Sequence, residues 1–141
     1  MEHLGQHLII ECWGCNDGIN DADLVRTAMI EAVHAAHATL LDINVHTFSP
    51  HGVTGVAVLS ESHLSVHSWP EYGYLAADVF TCGDTTEPMA AVEVFRQYFQ
   101  PSVVELQDLA RGIDPRAPGR PKRRNWSRLE GRLEPTETAA S

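Results

Sequence analysis

From Leu41 to Cys82 the chain runs through short apolar–polar alternations, and a segment with helical spacing lies on either side of that stretch. This arrangement constrains the fold more than any other feature. Leu41, Ile43 and Val45 alternate with Asp42, Asn44 and His46, the period of two expected of a strand with one buried face. Residues 53–60, 63–68 and 74–82 read as further strands. They are separated by a short polar link at Ser60-Glu61-Ser62 and by the punctuation Trp69-Pro70-Glu71-Tyr72-Gly73, where proline cannot donate to a ladder and glycine permits a turn. Upstream, 7–13 is a β-rich run and 16–23 a polar cluster whose acids suit a helix N-terminus. Over 24–37, Leu24, Val25, Ala28, Met29, Ala32, Val33 and Ala36 recur at helical spacing. Downstream, 85–99 sets Met89, Val92, Phe95 and Phe99 on one stripe with Pro88 near the start, and 102–109 is a last strand. The order β-α-β-β-β-β-α-β predicts a two-layer α/β sandwich, an α+β arrangement in which two helices cover one face of a largely antiparallel sheet.

A chain of 141 residues holds one core, here assigned to residues 1–112. Residues 113–141 carry few large apolar side chains and several Pro and Gly, which predicts a mobile basic tail. Charge divides at the same place. Residues 1–110 hold 2 basic and 15 acidic side chains, net −13, whereas 111–141 hold 8 and 4, net +4. The acidic part should repel nucleic acid and concentrate cationic small molecules. No apolar run reaches the roughly 18 residues of a membrane-spanning helix, and no membrane partner is expected. Three cysteines without a basic-then-apolar leader argue against a disulfide framework and for a cytoplasmic setting.

Several constellations stand beside plainer readings. Cys12-Trp13-Gly14-Cys15 has redox or zinc spacing, but one such pair lacks the further ligands a zinc site needs. His34/His37 and His63/His67 could be drawn as metal pairs, yet no carboxylate completes either by spacing, so no metal is assigned. The run 120–124 suits either phosphate contact or solubility. The densest chemistry lies in residues 60–74. A Ser-His-acid hydrolase with Ser62 or Ser65, His67 and Glu71 is conceivable there, although no Gly-x-Ser-x-Gly elbow is present. The other reading is that Ser62, in a strained link, attacks the carbonyl of Glu61.

The contiguous stretch S-E-S-H-L-S-V-H-S-W-P-E-Y-G-Y over 60–74, then D-V-F-T-C-G over 78–83, with Leu4-Gly5-x-His7-Leu8 upstream, resembles the short prokaryotic S-adenosylmethionine decarboxylase proenzymes. The likeness runs from Leu4 to Gly112. It implies self-cleavage between Glu61 and Ser62, by attack of Ser62 Oγ and β-elimination, leaving a covalent pyruvoyl group (pyruvate) on residue 62. His67 matches the processing proton acceptor, and Thr54 supplies a hydroxyl toward the oxyanion. Cys82 matches the acid that reprotonates the substrate α-carbon. Decarboxylation of S-adenosylmethionine for spermidine synthesis would then proceed through a Schiff base to that ketone, which acts as the electron sink. Glu71 matches the ribose-binding carboxylate and Phe48 an adenine-stacking ring. Trp69 is a further candidate wall for the base or the sulfonium. The resemblance also implies a homodimer of cleaved units with sites at the subunit interface. Three rivals remain: a pyruvoyl-dependent decarboxylase of arginine or another basic amino acid, a ligand-binding relative that never matures, and a Cys-x-x-Cys redox or zinc module. Cys12, Cys15 and the tail have no counterpart in the family pattern.

Overall fold

The computed structural model of the chain describes residues 3–116 in full and, as backbone, 124–129 and 133–137. Six strands, β1 (Gly5–Trp13), β2 (Leu40–Thr47), β3 (Val53–Leu59), β4 (Ser62–Trp69), β5 (Tyr74–Thr81) and β6 (Val103–Arg111), form one sheet in the order β2-β3-β4-β5-β1-β6. Every neighbouring pair is antiparallel. Helices α1 (Ala22–Ala35) and α2 (Pro88–Phe99) carry the two long crossings, from β1 to the β2 edge and from β5 over β1 to β6. Among the described residues no helix is long and apolar enough to cross a membrane.

Local chemistry explains where the helices begin and end. Asp21 caps α1, its carboxylate accepting from the N–H groups of Asp23 and Leu24 at 3.0 and 3.2 Å. At the other end His37 turns into the left-handed region at φ +57°, and the Ala38 N–H donates to the Val33 carbonyl at 3.1 Å. Helix α2 opens on Pro88, where the missing N–H costs nothing.

The core lies between the helices and one sheet face. Leu8, Ile10 and Cys12 of β1, Leu64 and Val66 of β4, and Leu75, Ala77 and Val79 of β5 meet Val25, Met29 and Val33 of α1 and Val92, Phe95 and Phe99 of α2. Gly55 lets α1 sit close to β3, since a Cβ there would lie 2.4 Å from Met29 Sδ. On the opposite face His7, Ser65, His67 and Asp78 are half-buried, while Val56 and Val58 are exposed. No helix of the described residues covers it.

The structure departs from expectation in two places. Leu41 was expected on the buried face of its strand but is exposed, because the β2–β3 register shifts between Leu40 and Asp42 and moves the inward positions to Leu40, Ile43 and Val45. Within 113–141, where no regular element was expected, β7 (Arg124–Leu129) and β8 (Leu133–Glu137) pair antiparallel as a separate two-stranded sheet. Of the basic run, 120–123 lie outside the described residues.

Phe95 is fully buried at the centre of α2. Phe95→Ala should therefore lower the unfolding free energy by about 3–5 kcal/mol, read from urea denaturation, and a loss below about 1 kcal/mol would contradict this packing.

Candidate functional site

Leu59 pairs with Ser62, so β3 and β4 are joined by a link of only Ser60 and Glu61. Two-residue hairpins ordinarily take turns with positive φ at the central positions, hence their preference for Asn-Gly or Gly-Gly. This link has no glycine, and neither Ser60 nor Glu61 has positive φ. The positive angle falls on Ser62 instead, at +148°. A side-chain-bearing residue in that region stores about 1–3 kcal/mol of strain, held by its surroundings.

Those surroundings grip Glu61 from two directions. Its carbonyl oxygen accepts from the Cys82 N–H at 3.1 Å. Its carboxylate accepts from the Thr39 N–H at 2.9 Å and the Thr39 hydroxyl at 3.3 Å. The Thr39 N–H is the chief reason the Glu61 carboxyl sits below the usual carboxylate range. Cys82 follows Thr81, the cross-strand partner of Ser62, which brings the exposed Cys82 beside the same link. Glu61, Ser62 and Cys82 thus form one cluster at one end of the sheet.

The remaining predicted residues gather at the other end. Thr54 on β3 and His67 on β4 are cross-strand partners, and Thr54 Oγ1 is hydrogen-bonded to His67 Nδ1. For His67 Nε2 to accept a proton, Nδ1 must carry the hydrogen and donate to Thr54. Phe48 and Trp69 flank the imidazole, with ring centroids 5.9 and 4.1 Å away. They are not core residues, being 47 % and 37 % exposed. Trp69 stacks on Tyr74 at 5.2 Å, and Tyr74 on Trp13 at 4.2 Å, so an aromatic strip runs across the open face. Glu71 pairs with His51 at 2.5 Å. Partial burial raises the Glu71 carboxyl, but its own backbone N–H and His51 outweigh that, and the net shift is downward.

Ser62 and His67 stand on one strand, five residues apart. At about 3.3 Å per residue the separation is roughly 16 Å, so the protomer does not bring His67, the expected proton acceptor, to the serine. Nor does it bring the Thr54 hydroxyl to the Glu61 carbonyl, where the protomer's own donor is the Cys82 N–H.

The sequence did not mark the network between the two ends. His7 Nε2 lies 2.6 Å from Asp78 Oδ2, His63 Nε2 lies 3.5 Å from the same oxygen, and Ser65 Oγ donates to Asp78 Oδ1. These ligand atoms converge as a metal site's would. However, Arg111 donates to His7 Nδ1 at 2.8 Å, which leaves the proton on Nε2 and makes His7 a donor to Asp78. His7 and Asp78 are cross-strand diagonals 71 positions apart, and only the outward parity of their strands hints at contact. The Cys12–Cys15 pair is likewise unsuited to thiolate chemistry. Burial pushes the Cys12 thiol up to about 12 and the Cys15 thiol up to about 11, so both are protonated at neutral pH.

Residues 6–112 match the family model described as S-adenosylmethionine decarboxylase. A Methanococcus maripaludis protein named S-adenosylmethionine decarboxylase proenzyme is 46 % identical over 114 residues, covering 80 % of this chain and 93 % of the relative. One of the same name from Thermomicrobium roseum is 49 % identical and covers 80 % and 97 %. The crystal structure of the Aquifex aeolicus adenosylmethionine decarboxylase superposes with a TM-score of 0.75 at 32 % identity, covering 83 % of this chain and 98 % of that one. The chain belongs to the S-adenosylmethionine decarboxylase family.

Proposed function

We propose that this chain decarboxylates S-adenosylmethionine, using a pyruvoyl group that it makes from Ser62, to yield the aminopropyl donor of spermidine synthesis. The observation that carries the reading is the strained φ of Ser62 beside a Glu61 carbonyl already hydrogen-bonded to the Cys82 N–H. As Ser62 Oγ adds to the Glu61 carbonyl carbon, negative charge grows on the oxygen that this N–H holds. The C–N bond then breaks, the Ser62 nitrogen takes a proton, and an ester joins Glu61 to Oγ. Removal of the Ser62 Cα proton by His67 expels Glu61 as a carboxylate. Tautomerisation and attack of water release ammonia and leave the ketone on residue 62. The residues present fit this group: residue 62 directly follows the link, and the exposed Cys82 donates its backbone N–H to the Glu61 carbonyl.

When formed, the pyruvoyl carbonyl supplies the electron sink that decarboxylation requires and that no side chain provides. Cys82 Sγ holds the proton destined for the substrate α-carbon. Phe48 and Trp69 offer exposed ring faces to adenine or to the sulfonium, and Glu71 offers carboxylate oxygens to a ribose diol. These features favour a nucleoside over a bare basic amino acid. CO2 release assayed with S-adenosylmethionine and with arginine separates the two readings, and turnover of arginine alone would overturn this one.

The separation of the two residue clusters supports a homodimer. With the base roughly 16 Å from the serine along one strand, a second copy laid on the open sheet face supplies His67 and Thr54 to the first copy's Ser62. The exposed Val56 and Val58 suit such burial.

Three outcomes test the reading. Intact-mass measurement of purified protein should give chains of 1–61 and 62–141, whereas Ser62→Ala stays whole; an uncut wild type refutes catalysis. Co-expression of Ser62→Ala with His67→Ala should cut the His67→Ala chain in mixed dimers, and no cut chain would mean the base acts within its own protomer. Cys82→Ala keeps the backbone N–H, so it should still mature while CO2 release per carbonyl falls about 100-fold; unchanged turnover would remove Cys82 from the proton step.

A further inference from the structure

Residue 39 exchanges hydrogen bonds with both members of the glycine-free link. Its carbonyl accepts from the Ser60 N–H at 3.0 Å, and its N–H and hydroxyl meet the two oxygens of the Glu61 carboxylate at 2.9 and 3.3 Å. Thr39 is itself exposed, so packing does not account for its place. The place is set by the end of α1. There the His37 N–H donates to the His34 carbonyl at 3.0 Å and the Ala38 N–H to Val33, while the Ala36 carbonyl accepts from the Glu87 N–H ahead of α2 at 2.8 Å. Thr39 is therefore a fixed post rather than part of the link.

Glu61 is held between that post and β5. Its side chain is drawn toward the start of β2, and its carbonyl toward the Cys82 N–H at 3.1 Å. Without the first grip, a two-residue turn lacking glycine would relax by rotating Glu61, carrying the carbonyl off its donor and relieving the strain on Ser62. Misplacement of a reacting carbonyl by about 1 Å is enough to slow an attack severely.

We propose that Thr39 is a positioning residue for self-cleavage, clamping the Glu61 carboxylate so that the scissile carbonyl stays on the Cys82 N–H and within reach of Ser62. The inference rests on the proposed cleavage at Glu61–Ser62. The experiment follows cleavage of freshly made full-length chain over time by intact mass, for wild type, Thr39→Val, Thr39→Ser, Glu61→Ala and the Thr39→Val/Glu61→Ala double variant. Glu61→Ala should slow cleavage about tenfold and Thr39→Val about threefold, with Thr39→Ser at the wild-type rate. The double variant should be no slower than Glu61→Ala, because both changes remove one interaction. Thr39→Val should keep its melting temperature and, once matured, its CO2 release per carbonyl. Cleavage of Thr39→Val and Glu61→Ala at the wild-type rate overturns the clamp alone, as does a double variant whose losses multiply. A wild type that never cuts overturns the cleavage and the clamp with it.

Discussion

The two-residue connection between β3 and β4 is the constraint on which the proposed chemistry depends. Two-residue hairpins ordinarily take positive φ at their central positions, yet Ser60 and Glu61 do not, and the positive angle stands on Ser62 instead. The sheet keeps it there. Pairing with Thr81 on β5, the Cys82 N–H on the Glu61 carbonyl and Thr39 on the Glu61 carboxylate together prevent the link from relaxing. Strain of this size is small beside a peptide-bond barrier, but it is located at the serine that the proposed cleavage requires to act as nucleophile.

The second constraint is the length of a strand. Both clusters use β4, one at its first residue and one at its sixth and eighth, so extended geometry keeps them apart within a protomer. What looks in the sequence like one compact motif is divided by the fold into a half that carries Ser62 and the Glu61 carbonyl and a half that carries His67 with Phe48 and Trp69 beside it. The face between them is neither core nor ordinary surface. It carries an aromatic strip and a network of His7, His63, Ser65 and Asp78, with aliphatic side chains exposed at the β3 position. Such a face is the one that the proposed dimer would bury.

Much of this architecture could be read from periodicity. The helical stripes of 24–37 and 85–99 and the strand parity of 74–82 survive in the structure because each rests on local spacing. Leu41 did not follow its alternation, since a register shift of β2 against β3 depends on the partner strand and not on the run itself. The insertion of β1 between β5 and β6 was equally hidden, as no local pattern encodes which strands become neighbours. The site was legible only in part. The contiguous 60–74 motif announced Ser62, His67 and Glu71, and their division between the two ends of the sheet follows once 63–68 is taken as a strand. The grips on Glu61 come from Thr39 and Cys82, 22 and 21 positions away, and nothing near Glu61 in sequence signals them.

The central claim is that residue 62 becomes a carbonyl. Mature protein treated with phenylhydrazine, digested and mapped by tandem mass spectrometry tests it most directly. The account predicts a single hydrazone on the first residue of the 62–141 chain, with Ser60 and Ser65 recovered as unaltered serines. An N-terminal serine or an unmodified Glu61–Ser62 peptide at that site would contradict it.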